Sequence, residues 1–170
     1  MSSSPEIRKM RAEEWEAYRV LRLRALAEDP QAFGSTFERE NAMTDQFWRT
    51  RLASGTESAD SHPVVATLDG AWVGLAWGRM DPDDPSVAHL YQMWVAPEAR
   101  GRGVARGLLD SVIEWAHSRR ATKLLLEVTC GDTPARRLYE RAGFVPDGDP
   151  IPLRPGEDAL EQPMVLSLDG

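Results

Sequence analysis

The fold is decided by VAPEARGRGVARGLLDSVIEWA, residues 95–116, where the end of a strand meets a helix through a turn rich in glycine and arginine. Gly101 and Gly103 carry no Cβ, so the backbone can approach a ligand closely. The helix predicted over 104–118 presents unpaired N–H groups and the positive end of its dipole at this turn. Further positive charge comes from Arg100, Arg102 and Arg106. The stretch therefore predicts a cradle for a phosphate or pyrophosphate.

Other interpretations of the glycine-arginine loop, residues 100–106, are less well matched. A plain turn with solvated arginines would have the same composition, so this interpretation stays open as an alternative. A dinucleotide fingerprint, GxGxxG, would need glycine at Arg106 and usually opens near the start of a βαβ fold, whereas this loop follows several strands. A Walker P-loop would need Gly-Lys-Ser/Thr, which does not occur in the chain.

Strand-like runs lie on both sides of the loop. Asp69-Gly70 separates two such runs, which is a strong signal for a hairpin. The mostly apolar run KLLLEVT, residues 123–129, is typical of a strand in a sheet that is covered on both faces. The predicted strands are the neighbourhood of Ile7 and residues 62–68, 71–80, 87–95, 123–129 and 162–168.

Helices alternate with these strands. Helical spacing predicts them at about 12–29, 44–53, 104–118 and 132–142. Thr44 is a candidate N-cap, and Gly143 ends the last helix. Residues 33–41 are ambiguous, and 55–61 are predicted to form a polar loop. The order β-α-α-β-β-β-α-β-α-β-β predicts an α/β fold, a mixed sheet of about seven strands with about four helices packed on it.

The length and charge of the chain limit its class. It has 170 residues, and because ~100–200 residues make one domain, residues 1–170 are predicted to be a single domain. A chain of this size buries a core without help from a disulfide or metal. Its 27 acidic residues exceed its 20 Lys and Arg, for a formal net charge of −7. This argues against binding to nucleic acid or an anionic membrane, since both need a basic face.

The sequence does not indicate a metal, disulfide or membrane segment. Cys130 is the only cysteine, which excludes an internal disulfide framework and a multi-cysteine zinc site. The three histidines, His62, His89 and His117, show no ligand spacing. No apolar run approaches the ~18 residues of a membrane span, and the N-terminus lacks the apolar core of a signal peptide. We therefore predict a cytoplasmic protein without a metal.

Two motifs resemble those of the GCN5-related N-acetyltransferases (GNAT). Residues 100–105, RGRGVA, match the family's Q/R-x-x-G-x-G/A loop, and residues 132–144, DTPARRLYERAGF, look like its N-x-x-A-x-x-L-Y-x-x-x-G-F segment. Their order and the LLLEV strand between them also fit, so about 87–145 is the core of the resemblance. It implies a single-domain GNAT-like fold with a mixed, mostly antiparallel central sheet.

The resemblance also implies where acetyl-CoA, the family's cosubstrate, would bind. The implied loop contacts to its pyrophosphate and pantetheine are Arg100, Gly101, Arg102, Gly103, Val104, Ala105 and Arg106. In the family, a bulge in the preceding strand leaves amides free for pantetheine and the acetyl oxygen, which implies Met93, Trp94 and Val95 here. Asp132 stands where the family often has asparagine near the cofactor, and its carboxylate would be neutral to unfavourable beside the phosphates.

Two side chains are candidates for acetyl-transfer chemistry. A protonated phenol suits a departing thiolate, and the family places the tyrosine of its second motif, here Tyr139, beside the CoA sulfur. Glu127 interrupts an apolar strand, which is unusual unless the charge faces a cleft. Some relatives use a glutamate at this place to remove a proton through water. The alternatives are a core aromatic for Tyr139, and a solvated rim residue or a water-only route in place of Glu127.

The prediction is an acetyl-CoA-dependent N-acetyltransferase that transfers directly to a primary amine in a ternary complex. The alternatives are a non-catalytic CoA-binding module and a dinucleotide-binding oxidoreductase. The acceptor stays open among a protein N-terminus or lysine, a polyamine, an amino acid and an aminoglycoside. Its site would be built between Arg24 and Ser61 and after Phe144, with 149–163 as a loop over it. The family also implies a possible homodimer.

Overall fold

The computed structural model describes residues 4–168, so the ends of the predicted domain, 1–3 and 169–170, lie outside the described residues. The strands are β1 (Glu6–Lys9), β2 (Ser61–Leu68), β3 (Ala71–Met80), β4 (Val87–Val95), β5 (Lys123–Thr129), β6 (Val145–Pro146), β7 (Ile151–Pro152) and β8 (Leu160–Ser167). The α-helices are α1 (Trp15–Glu28), α2 (Phe37–Asn41), α3 (Asp45–Glu57), α4 (Val104–Ser118) and α5 (Pro134–Ala142). Short 3-10 helices lie at Ala12–Glu14, Pro30–Ala32 and Pro97–Ala99.

The strands form one mixed sheet in the order β1-β2-β3-β4-β5-β8-β6, with β7 also paired to β8. Every pair is antiparallel except β4 with β5. The predicted fold class is confirmed. One strand more than predicted is present because both β6 and β7 are short pieces beside β8. The additional helix is α2, which occupies the second half of the ambiguous segment 33–41.

Helices cover both faces of the sheet at its centre. Trp77 and Gly78 are neighbours in β3, so their side chains point to opposite faces. A Cβ on Gly78 would lie 2.7 Å from the Trp115 ring of α4, while a Cβ on Gly55 in α3 would lie 2.3 Å from the Trp77 ring. These two glycines therefore let the helices approach the sheet closely.

The prediction of a polar loop at 55–61 is wrong in its first half. Helix α3 continues to Glu57, and Gly55 is buried within it. The physical reason is the contact just described, because the Trp77 ring occupies the space that any side chain at Gly55 would need. Tertiary packing overrides the low helix propensity of glycine at this position.

The helix ends agree with the predicted capping residues. Thr44 Oγ1 accepts a hydrogen bond from the Phe47 backbone N–H at 3.1 Å and caps α3. Thr133 caps α5 in the same way, and Gly143, at φ +106°, ends it. Helix α4 begins after Gly103, which holds φ +80° and offers no side chain to its first N–H groups. That helix end is therefore left open toward its surroundings.

Candidate active site

A cleft opens where the two parallel strands at the centre of the sheet part. The pairing of β4 with β5 stops at His89 and Leu125, and beyond that point the two strands line the same cavity. Its volume is ≈ 2050 Å³. A pocket for one small ligand typically has ~300–1,000 Å³, so the cleft has room for two substrates.

A bulge in β4 shapes the floor of this cleft. Leu75 pairs with Trp94 and Trp77 pairs with Tyr91, so two residues of β4 lie opposite one of β3. Gln92, in the bulge, holds φ +57°, which is the left-handed region and unusual for a non-glycine residue. A bulge of this kind re-aims the backbone beside a ligand site.

The bulge is held in place from α1. The Tyr18 hydroxyl donates to Gln92 Oε1 at 2.7 Å. Tyr18 is fully buried and packs its ring edge-on against Trp48 and tilted against Trp77, with ring centroids 5.6 Å apart in both contacts. The strained backbone at Gln92 is therefore fixed by a rigid aromatic cluster.

The glycine-arginine loop closes one end of the cleft. Gly101 and Gly103 both hold φ +80°, and a Cβ on either would meet nothing within 4 Å. Both line the cleft beside the open N-terminus of α4. Exposed N–H groups, a helix dipole and room for a backbone contact are the features that bind phosphate groups. The loop therefore fits the pyrophosphate of a CoA thioester.

The three arginines of the loop have different surroundings. Arg100 donates to the Val95 carbonyl at 3.0 Å and pairs with Asp29 at 3.0 Å, so it ties the loop to the end of α1. Arg106 pairs with Asp110 on the next turn of α4, also at 3.0 Å. Arg100 and Arg106 line the cleft, whereas Arg102 does not.

The other residues with an implied cofactor role are also brought together, with one exception. Cleft-lining residues among them are Met93, Trp94, Val95, Val104 and Ala105. Asp132 does not line the cleft. It pairs with Arg137 at 2.7 Å, and its side chain is 81% exposed. A contact between Asp132 and acetyl-CoA stays a prediction.

Tyr139 and Glu127 line the same cleft. Tyr139 lies on α5, is buried, and packs edge-on against Phe144 at 5.7 Å. Burial raises the pKa of its phenol, so the group is protonated at neutral pH. Glu127 is exposed on β5, and its apolar neighbours in that strand, Leu126 and Val128, are buried.

Glu161 is a second carboxylate beside Glu127 that the sequence did not single out. Glu127 and Thr129 share a face of β5, and Glu161 pairs with Thr129, so the two carboxylates are diagonal neighbours on one face. Burial, and then the charge of Glu127, raise the pKa of Glu161. Tyr91 also lines this wall, and its pKa is raised by burial and then by the Glu127 charge.

Charged residues from three helices also line the cleft. We call Arg22 of α1, Glu40 of α2 and Arg51 of α3 the arginine–glutamate cluster; all three line the cleft. Arg22 and Glu40 are 5% and 3% exposed. Burial would raise the pKa of Glu40, but hydrogen bonds and charge from Arg22, together with the charge of Arg51, hold it below its usual value.

One sequence signal could have found part of this cluster. Arg22 follows Leu21 on the apolar face of α1, where Tyr18, Ala25 and Leu26 are buried. A charge on the buried face of a helix is rare unless it is paired. Nothing local marks Glu40 or Arg51 as its partners.

The comparisons with known proteins agree with this geometry. A family model described as the acetyltransferase (GNAT) family matches residues 8–144, and the chain belongs to that family. The match supports neither the non-catalytic module nor the oxidoreductase.

Individual relatives are distant. The chain is 28% identical over 122 residues to a mycothiol acetyltransferase from Arthrobacter sp., a match that covers 70% of this chain but only 38% of that protein. It is 28% identical over 138 residues to the uncharacterized N-acetyltransferase YycN of Bacillus subtilis, covering 79% of this chain and 88% of that one.

The fold is shared with solved structures. The structure of yncA, a putative acetyltransferase from Salmonella typhimurium with its cofactor acetyl-CoA, superposes with a TM-score of 0.80 at 17% identity, over 99% of this chain and 96% of that one. Within residues 4–168, no helix is long and apolar enough to cross a membrane, and no group of three or more potential metal ligands occurs.

Proposed function

We propose that this enzyme transfers the acetyl group of acetyl-CoA directly to a primary amine while both substrates occupy the cleft. The observation that carries the proposal is the single cavity in which the open helix end of the glycine-arginine loop, Tyr139 and Glu127 all take part. Its volume accommodates a donor and an acceptor together, which a direct transfer requires. The names of relatives such as YycN support N-acetylation as the class of reaction.

Acetyl-CoA is proposed to lie with its pyrophosphate against Gly101 and Gly103 and its thioester at the β4 bulge. Gln92 and Met93 of β4 together lie opposite a single residue of β3, so they are not paired one to one with that strand. Backbone N–H groups in such a bulge can stabilise the oxyanion that forms on the carbonyl oxygen. The Met93 backbone is the proposed donor.

The bond changes require two proton transfers. The acceptor ammonium must lose a proton before its nitrogen attacks, and Glu127, directly or through water, is the proposed base. A bond then forms between nitrogen and the carbonyl carbon, and as the carbon–sulfur bond breaks the nitrogen loses its second proton to water, which leaves a neutral amide. The CoA thiolate leaves with a hydrogen bond from the Tyr139 phenol, which burial keeps protonated until it is needed.

Replacing Tyr139 by phenylalanine tests this assignment. Because the ring contact with Phe144 is kept, we expect an unchanged melting temperature and acetyl-CoA affinity, and a fall in kcat of ~10²-fold or more, as for loss of a general acid. Thiol release with a panel of amines measures kcat, and calorimetry measures acetyl-CoA binding. Unchanged turnover in Y139F would remove this role from Tyr139.

The acceptor, the partners, the location and the oligomeric state are also part of the proposal. The acceptor is a primary amine on a small molecule or on a protein N-terminus or lysine, with no nucleic-acid or membrane partner. A cytoplasmic location and a homodimer also remain predictions, which fractionation and sedimentation can test.

A further inference from the structure

The arginine–glutamate cluster has more positive charge than its own hydrogen bonds use. Arg22 donates to Glu40 through Nε at 3.1 Å and Nη2 at 2.9 Å, and Arg51 donates to the same carboxylate through Nη1 at 3.0 Å. Two guanidinium groups thus share one carboxylate, which leaves a net charge of one positive in the wall of the cleft.

Part of this donor capacity is unmet. Arg22 Nη1 is buried and has no hydrogen-bond partner among the described residues. Arg51 is intermediate in exposure, with 28% of its side chain accessible, and it bonds Glu40 through one nitrogen only. A buried cationic donor without a partner is costly, and negative charge bound at the more accessible Arg51 would lower that cost.

The remaining arginines that line the cleft do not need an anionic partner in the same way. They are exposed, so water already stabilises their charge: Arg39, Arg79, Arg100, Arg106, Arg119 and Arg141. Only Arg22 and Arg51 combine a place in the cleft wall with burial or partial burial.

The cluster lies close to the point of acetyl transfer. Arg51 and Arg22 are near enough to Tyr18 for their charges to oppose the effect of its burial, which raises the pKa of that phenol. Tyr18 in turn holds Gln92 at the bulge. The two guanidinium groups therefore adjoin the wall that carries the proposed thioester site.

The cleft thus has lining groups of both charges. The arginine–glutamate cluster is net positive, while β5 and β8 contribute Glu127 and Glu161. Carboxylate and guanidinium groups form strong, directional hydrogen bonds. A substrate with an ammonium group at one end and a carboxylate at the other complements both sets of groups.

We infer that the acceptor is a small amine that also carries a carboxylate, as amino acids do. Arg51, oriented by Glu40 and backed by Arg22, binds the carboxylate, and the amine points toward Glu127. This inference rests on the proposed acetyl transfer and adds the substrate class. It does not apply to polyamines, which lack an anion.

The test compares matched acceptors. Thiol release is measured with L-α-amino acids, β-alanine and γ-aminobutyrate, each beside its carboxamide. Amidation lowers the basicity of the amine in α-amino acids, which alone would favour the amide. We expect kcat/KM for the best acid to exceed that for its amide by ~10- to 100-fold, the usual value of a charge-assisted contact.

Variants of Arg51 show whether the cluster causes this preference. R51Q should lower the acid-to-amide ratio about tenfold or more by raising KM for the acid, with the amide unaffected, and R51K should recover part of the loss. The matched control is R49Q. Arg49 lies on the same helix, stacks on the Trp15 ring at 4.7 Å and does not line the cleft.

The possible outcomes are separable. If the amides react as well as the acids, the inference is wrong and the proposed function stands. If R51Q slows acid and amide equally, Arg51 does not bind the carboxylate. If acetyl-CoA binds and neither series is acetylated, the inference is wrong; the proposed function also fails if polyamines, aminoglycosides and peptides with a free N-terminus or lysine release no thiol either. Arg51 is preferred to the more buried Arg22 because its variants are more apt to fold.

Discussion

The half of the cleft proposed to bind the cofactor (the cofactor half), residues 93–106, comes from one continuous stretch of chain, whereas the arginine–glutamate cluster of the proposed acceptor half comes from three separate helices. The first is built from backbone geometry: two glycines at positive φ and an open helix end. The second is built from side chains that meet only after α1, α2 and α3 have packed.

This difference explains what each half can specify. Backbone N–H groups recognise phosphates in any sequence context, so the cofactor half can keep one ligand while its side chains vary. A buried cluster of charges is sensitive to every partner, since each group must be neutralised by the others. The acceptor half should therefore respond more strongly to single substitutions.

Glu40→Ala should have the largest effect. It leaves two guanidinium groups without their carboxylate, and breaking a buried pair in this way costs about 3–5 kcal/mol of unfolding free energy. Urea unfolding followed by fluorescence measures the loss. The matched control is E38A, which removes an exposed glutamate from the same helix and should change stability by less than about 0.5 kcal/mol.

A double variant separates charge from packing at this site. If the cost of E40A is the unpaired charge, replacing Arg22 as well, in R22M/E40M, should recover much of the stability while acceptor turnover stays low. An E40A protein as stable as E38A would mean that the cluster carries no buried charge, and the contrast between the two halves would be lost.

Gly103→Ala should have a smaller effect, of which one part falls on stability and the other on acetyl-CoA affinity. Alanine at φ +80° costs about 1–2 kcal/mol of stability. The added Cβ also enters the space proposed for the pyrophosphate, so acetyl-CoA affinity should fall by about tenfold, or 1.4 kcal/mol. Calorimetric titration with acetyl-CoA measures the second part.

Gly70 supplies the control for this variant. It holds φ +83° in the β2–β3 hairpin, and a Cβ there also meets nothing within 4 Å. G70A should therefore carry the same backbone strain without touching the cleft. Equal acetyl-CoA affinity in G70A and G103A would show that the loop does not cradle the cofactor.

Most of the cofactor half could be predicted because its signals are local. The bounds of α4 and the Asp69-Gly70 hairpin follow from patterns within a few residues, and both are confirmed. The bulge was implied only by resemblance, since nothing in the letters YQMW demands a left-handed residue at Gln92. The Gln92 side chain is held there by a hydrogen bond from Tyr18, which lies 74 positions earlier.

The acceptor half could not be predicted because its contacts, like the one between Tyr18 and Gln92, join residues that are far apart in the sequence. Arg22 lies on an apolar helix face, but its bond to Glu40 spans 18 positions and depends on how α2 folds back. The predicted polar loop at 55–61 is wrong at its start because the contact of Gly55 with Trp77 depends on how α3 packs on the sheet. Whether a glycine ends a helix, and whether a charge is paired, depends on tertiary neighbours that are distant in sequence.

The smallest predicted effect concerns pH and falls on the packing of α4 against β2, outside both halves of the cleft. His62 of β2 lies within hydrogen-bond distance of Ser111 Oγ, at 3.1 Å, and stacks on Trp115, both on α4. Burial, and then the charge of Lys9, lower its pKa from 6.5 to about 4. The folded protein therefore keeps this histidine neutral, while the unfolded chain takes up a proton below pH 6.5.

The contribution of His62 to stability is thus constant above about pH 6.5, falls as the pH is lowered toward 4, and changes no further below it. Since the ring is only partly buried, the loss is about 1–2 kcal/mol. The difference in unfolding free energy between pH 7.5 and pH 4.5 should shrink by that amount in H62Q, with H117Q, an exposed histidine of α4, as the matched control. Equal pH dependence in wild type and H62Q would mean that α4 is held to the sheet without help from a neutral histidine.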